Sequence, residues 1–214
     1  MLASATGMPT RGRLITIEGL DGAGKTTVAT ALADALRDRG IDVTVLREPG
    51  GVPAAERIRE LVKDPDARIG ARAEALLYAA ARAQLVEDAL KPLLKGGTWI
   101  VLDRFVDSSL AYQGGGRVLG VGPVREVNEF ATGGLTPDRT LLLTLEPAVG
   151  RARTRAREEP ADRLELERDD FFGRIASAYQ QLAAADPERI RQIDATQPPD
   201  AVLTDALAAI ADLL

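Results

Sequence analysis

At 214 residues, with 45% apolar and 28% charged side chains, the chain suits one α/β domain with a full core, or at most two small ones. A net charge of −5 gives no basic excess to attract a phosphate backbone, which argues against broad nucleic-acid binding and leaves only a local basic groove. Cysteine and histidine are both absent, which excludes disulfides, thiolate or histidine metal sites and Ser-His triads, so chemistry must rest on carboxylates, lysine, arginine and a hard cation.

Met1 to Arg13 is small and polar and lacks an apolar h-region. Residues 1–13 are therefore expected to be a flexible extension and not a secretory signal, with Met8 an alternative start. Residues 14–214 then form a single domain. No apolar run approaches the length of a membrane span, so no membrane partner is expected. The lack of thiols fits a reducing cytoplasm.

Leu14-Ile15-Thr16-Ile17 predicts a strand, and Thr26 to about Arg39 predicts a helix. Between them Gly19-Leu20-Asp21-Gly22-Ala23-Gly24-Lys25-Thr26 spells G-x-x-x-x-G-K-T. Strand, glycine-rich turn and helix start are the context of a phosphate-binding loop. Its glycines let backbone N–H groups approach phosphate oxygens, and the helix N-terminus adds its positive field. Lys25 can reach the β- and γ-phosphates, and the Thr26 hydroxyl can ligate Mg²⁺. A chance glycine turn with a surface lysine is the bland alternative, and the flanking strand and helix argue against it. Gly19 through Thr27 are assigned to a nucleoside triphosphate.

Ile41 to Leu46 predicts a second strand, ended by Glu48-Pro49-Gly50-Gly51. Ala54 to Leu61 has helical spacing, and Asp64-Pro65-Asp66 breaks it. Ala71 to Leu94 predicts one long helix, with Pro92 near its end and Gly96-Gly97 as a stop. Thr98 to Leu102 is an apolar strand of the kind buried on both faces. A helical stretch near Asp107 to Tyr112 is expected to run into a glycine-rich loop, Gly114 to Gly116. Pro123 to Ala131, Ala148 to Arg157 and Asp169 to Ala185 predict helices. Thr140 to Leu145 and Ile190 to Asp194 predict strands, and Ala201 to Leu214 predicts a closing helix. The alternation predicts a five-stranded parallel sheet with helices on both faces, a P-loop NTPase fold whose ligands bind at the carboxyl ends of the strands.

Asp103-Arg104-Phe105 ends the third strand. Asp103 should face the metal and phosphates, as a ligand to Mg²⁺ or to water bound to it, and Arg104 can clasp a second phosphate. An Asp-Arg surface pair is the alternative reading.

Taken together, Arg47-Glu48-Pro49-Gly50-Gly51, Asp103-Arg104-Phe105, Ala111-Tyr112-Gln113-Gly114-Gly115-Gly116-Arg117 and Ile193-Asp194-Ala195-Thr196-Gln197-Pro198 make the chain resemble the bacterial thymidylate kinases from about Leu14 onward. The resemblance implies ATP and dTMP as substrates, Mg²⁺ as cofactor and a homodimer. It implies that Tyr78, where the family usually has Phe, stacks on thymine, and that Arg82, four residues on and on the same helical face, bonds its O4. Ser109, Tyr112 and Gln113 then lie near sugar and base, and Asp21 meets the 3′-hydroxyl. Arg47 and Arg104 grip the monophosphate beside Glu48 and Pro49. Asp194, Ala195 and Thr196 lie beside the donor adenine.

Residues 151–168 are crowded with charge. A solvated helix laced with ion pairs accounts for most of it, and a mobile lid carrying arginines to the transferring phosphate is the functional reading. The phosphate loop itself has no arginine, so the lid should supply one: Arg153, Arg155, Arg157 or Arg163, alongside Lys25 and Arg104. Rival readings are a kinase for another nucleoside monophosphate, a deoxynucleoside kinase using Glu18 or Glu48 as base, and, more remotely, a nucleotide-binding switch.

Overall fold

The computed structural model describes residues 11–156 and 162–214. β1 (Leu14–Gly19), β2 (Val43–Arg47), β3 (Trp99–Asp103), β4 (Arg139–Thr144) and β5 (Ile190–Asp194) form one sheet in the order β2-β3-β1-β4-β5. Every neighbouring pair is parallel. The register sets Ile17 and Arg47 against Asp103, Gly19 against Leu143 and Thr144 against Asp194. The polar motifs read from the sequence thus share one carboxyl edge, where an open parallel sheet offers a crevice.

Alternate strand residues point to opposite faces. Ile15, Ile17, Val101, Leu141 and Leu143 pack under α1 (Lys25–Arg37) and α9 (Pro199–Ala209). On the other face Leu142 and Ile190 pack under α8 (Asp169–Ala185), while Leu14, Ile100 and Leu102 pack under the run from α3 (Ala71–Leu85) to α4 (Lys91–Lys95). Burying each such side chain contributes about 1.5–3 kcal/mol. The same face carries a polar stripe: Thr16 and Thr140 share a hydrogen bond of 2.8 Å, and Glu18 is fully buried.

Two expectations change. The long helix from Ala71 holds a wide turn at Val86–Leu90, where the Lys91 N–H reaches back to the Val86 carbonyl. Pro92 has no N–H to donate and its ring crowds the preceding turn, and a widened turn relieves both. The glycines at 114–116 are not a loop: α5 (Val106–Ser109) continues as a wide helix over Leu110–Gly116. A Cβ at Gly115 would lie 2.6 Å from the Ala178 Cβ, and one at Gly116 would lie 2.6 Å from the Phe171 ring. Gly115 and Gly116 are a packing face for α8, while Gly114 faces Gly120 and Val121 at the start of the next helix. The remaining helices are α2 (Pro53–Lys63), α6 (Val121–Thr132) and α7 (Pro147–Arg155). Of the expected extension, residues 1–10 lie outside the described residues, while Arg11 and Arg13 pair with Asp138 at 3.1 Å.

Candidate active site

β1 ends at Gly19, and the chain turns back through Gly24 (φ 87°), which caps α1 in the left-handed region. A Cβ at Gly22 would lie 2.2 Å from the Gly150 carbonyl oxygen, and one at Gly150 would lie 2.6 Å from that of Asp21. The phosphate loop and α7 therefore touch glycine to glycine, and only the absence of both side chains permits it. Gly150 carried no signal in the sequence, because its partner is remote. Lys25 curls over the loop and donates to the Gly19 and Leu20 carbonyls at 3.2 and 2.9 Å. Burial and the nearby Arg104 pull its ammonium down to about 8, against Asp21, Asp103 and Glu18. Leu20 and Ala23 face the core.

Arg104 is the centre of the site. Its φ of 71° lies in the left-handed region, which costs a non-glycine residue on the order of 1–3 kcal/mol. The cost is offset by bonds on both sides: Arg104 N–H donates to Ile17 O at 3.0 Å and Phe105 N–H to Glu18 Oε1 at 2.8 Å. So held, the guanidinium donates to Gly19 O (3.1 Å), Ser108 Oγ (3.1 Å), Asp21 Oδ1 (2.6 Å) and the Tyr112 hydroxyl (3.2 Å). Tyr112 donates in turn to Asp21 Oδ2 at 3.1 Å. Burial works to raise the Asp21 carboxyl, yet Arg104 and Lys25 hold it well below the usual carboxylate range. Beneath, Glu18 Oε2 accepts from Ser108 (2.5 Å) and Tyr179 (2.9 Å). Burial, then Asp107, pushes Glu18 up to about 7 against those bonds and Arg104.

A cavity of about 500 Å³ opens above this group. The phosphate loop walls one side with Asp21, Gly22 and Gly24 to Thr27. Tyr78, Arg82, Ser109, Tyr112 and Gln113 wall the other, with Arg47, Glu48 and Pro49 at the rim. Arg82 is buried and makes four hydrogen bonds, from Nε to Glu48 Oε2 (2.8 Å), from Nη1 to Ser109 Oγ (2.9 Å) and Asn128 Oδ1, and from Nη2 to the Phe105 carbonyl (2.8 Å), with Nη2 also ion-paired to Glu48 Oε2 at 2.6 Å. A base reaching Arg82 would share one of these protons. Gln113 donates to the buried carboxylate of Glu74 at 2.9 Å. Arg47 is pinned by Glu56 at 3.0 Å, and Arg59 by the Pro49 carbonyl at 2.9 Å.

Arg59 and Lys63 line the cavity but were not singled out in the sequence. Their i, i+4 spacing on α2 was the available signal. Asn128 and Glu74 had none, since each acts through a residue far along the chain; Ser108 lines the cavity and accepts from Arg104 four residues before it.

Of the charged segment, Arg153 donates to Gly22 O (3.4 Å) and Ala195 O (3.1 Å), tying the phosphate loop to the turn after β5. In that turn the Asp194 carboxylate accepts from Thr196 N–H and hydroxyl at 2.8 and 2.6 Å. Asp194, Ala195 and Thr196 stand on the same sheet edge, outside the cavity wall. Arg163 does not reach the phosphate loop: it pairs with Glu74 at 2.7 Å and donates to Val62 O at 3.1 Å. Arg155 is exposed at the end of α7. Arg157 lies outside the described residues.

Thr26 Oγ1 donates to Asp103 Oδ2 at 2.8 Å, and Asp103 Oδ1 is buried with no partner. A hydroxyl beside a carboxylate with a free oxygen suits a hard oxygen-seeking cation. Among the described residues no three acidic side chains gather as a metal cage. Such a cation would take its other ligands from phosphate and water, as Mg²⁺ does.

A family model for thymidylate kinase matches residues 17–206. A thymidylate kinase of Halorhodospira halophila is 48% identical over 209 residues, 97% of this chain and 97% of the relative. Thymidylate kinases of Alkalilimnicola ehrlichii and Deinococcus radiodurans are each 46% identical, over 94% of this chain and 94% and 98% of their own.

Proposed function

The chain belongs to the thymidylate kinase family, and we propose that it transfers the γ-phosphoryl group of ATP to dTMP, giving dTDP and ADP for dTTP synthesis. The observation that carries this reading is one cavity with two ends, joined by an arginine bonded to both. The phosphate loop forms one end and Tyr78, Arg82 and Gln113 the other. Arg104 reaches Gly19 and Asp21 on the first side and Tyr112 on the second.

The acceptor needs no protein base. A phosphate monoester loses its second proton at about pH 6, so dTMP is largely a dianion at neutral pH. Two features favour it over a nucleoside, which would need a base. Glu18 is buried on Phe105, Ser108 and Tyr179, and Glu48 is held through Oε2 against the Arg82 guanidinium, leaving Oε1 alone without a partner. Catalysis is then positioning and charge. Loop N–H groups and Lys25 hold the donor phosphates, and Arg104 with Arg47 holds the acceptor phosphate. Asp21 receives the 3′-hydroxyl, Tyr78 stacks on thymine, and Arg82, Ser109, Tyr112 and Gln113 fix base and sugar. Among the described arginines of the lid, Arg153, already bonded to Gly22 of the phosphate loop, is the one assigned to the donor phosphates. Thr26 and Asp103 would hold Mg²⁺, which when bound neutralises charge on the phosphate oxygens.

The same reading takes the protein as a cytoplasmic homodimer. Leu76 on α3 and Phe130 on α6 are 58% and 92% exposed, and the two helices pack on each other. No helix among the described residues is long and apolar enough to cross a membrane. The direct test is ADP release with dTMP, dUMP, dCMP, dGMP and thymidine in turn. dTMP should give the highest kcat/KM by a wide margin; equal turnover of dCMP or of thymidine would refute the assignment.

A further inference from the structure

Glu74 stands in the first turn of α3, fully buried. It does not line the cavity, yet it is the carboxylate on which the end of the wide helix and residues 162–167 converge. Its Oε1 accepts from Gln113 Nε2 at 2.9 Å and from Arg117 Nε at 3.2 Å. Its Oε2 accepts from Arg117 Nη2 at 2.9 Å and pairs with Arg163 Nη2 at 2.7 Å. Gln113 is cavity wall. Arg117 closes the wide helix, lies over the Phe171 ring at 4.8 Å and pairs with Glu167. Arg163 belongs to the segment 162–167, which is also held to the end of α2 by Lys63–Asp162 at 3.0 Å and by Arg163 N–H to Lys63 O at 3.3 Å.

We infer that Glu74 is a positioning residue that couples occupancy of the acceptor end of the cavity to the seating of residues 162–167, by holding Gln113 and Arg163 on one carboxylate. Two hydrogen-bonding groups, Gln113 and Arg117, and one ion-paired guanidinium, that of Arg163, share the two oxygens, so displacing or neutralising the carboxylate disturbs all three at once. A buried carboxylate facing two guanidiniums also fixes their positions more firmly than surface pairs do. A ligand that orders Gln113 thereby favours the arrangement in which Arg163 is docked, and docking Arg163 favours the ordered Gln113. The segment also lines the same cavity through Asp162, Leu164 and Glu165, so the part of the coupling assigned to Glu74 is the part that is lost when its charge is removed; reciprocity is required of it as of any coupling. The inference rests on the proposed function for the identity of the ligand, dTMP, and on geometry for the rest.

Hydrogen exchange on the intact protein, with and without saturating dTMP, tests it. In the wild type dTMP should slow exchange across 162–167 by about fivefold or more, the low end of ordinary coupling. Glu74→Gln keeps the shape and removes the charge; in it the slowing should vanish, while KM for dTMP rises by a similar factor and KM for ATP stays within about twofold. Equal slowing in wild type and variant would overturn the inference. Should Glu74→Gln not fold, Arg163→Met serves. It must speed exchange of 110–117 in the free protein, far from its own position in sequence, and unchanged exchange there would also overturn the inference. Because the Arg163→Met arm uses no nucleotide, it stands apart from the proposed function, which fails instead if dTMP does not bind the wild type.

Discussion

Arg104 is asked to be strained and well held at once. Its left-handed backbone aims the guanidinium at Asp21 and Tyr112, and Glu18 and Ile17 keep it there. Arg104→Ala should therefore lower kcat/KM for dTMP by about two orders of magnitude or more, the usual loss for a transition-state charge contact. Steady-state kinetics at fixed MgATP checks it, and near-normal turnover would remove Arg104 from the acceptor grip. Glu18 beneath it makes a pH prediction. Its carboxyl is raised by burial and by Asp107 from 4.5 to about 7, so between those values the folded protein binds a proton that the unfolded chain has lost. Stability from this group is present below about pH 4.5 and falls as pH rises towards 7, by on the order of 3 kcal/mol in all. Glu18→Gln should abolish that fall, seen as a flatter Tm profile from pH 5 to 8 than the wild type gives. Lys25, Thr26, Asp103 and Arg104 were legible because each lies inside a local motif. Asn128, Glu74 and Gly150 were not, because each matters only through a contact that folding creates.

Elements were easier to read than their roles. All five strands appear as apolar runs, and Asp169–Ala185 was read with both ends where they fall, because periodicity is a local property. Gly114 to Gly116 misled, since a row of glycines signals a turn by conformation and here serves close approach instead. The two meanings make opposite predictions. Gly115→Ala must push α8 away from the wide helix, because the obstructing Ala178 Cβ is itself fixed to a helix backbone. It should cost about 1–3 kcal/mol, as overpacking does, and raise KM for dTMP through Gln113 two residues before. Gly173→Ala, on α8 with nothing within 4 Å of the added carbon, should instead stabilise by about 0.5–1 kcal/mol. Denaturant melts of the two variants give the contrast. A stabilising Gly115→Ala would mean the segment is held as a flexible loop after all.

At the scale of the whole molecule, α3 faces two ways. Its inner side presents Tyr78 and Arg82 to the cavity, while Leu76 stands 58% exposed on the outside, and Phe130 stands 92% exposed on the adjoining α6. Large apolar side chains left open on packed helices favour a self-complementary contact, the commonest way soluble chains pair. The wild type should then sediment at twice the mass of one 22.8 kDa chain. Phe130→Asp should shift it to the monomer, because a charge carried into an apolar contact is not repaid. Pairing also stabilises by mass action, so the wild-type Tm should rise with protein concentration and that of Phe130→Asp should not. Since α3 bears both surfaces, loss of the contact should loosen Tyr78 and Arg82 and raise KM for dTMP more than KM for ATP. A wild type that sediments as a single chain at micromolar concentration would sink the dimer without touching the chemistry. A Phe130→Asp protein that remains paired would place the contact on a different face of the fold.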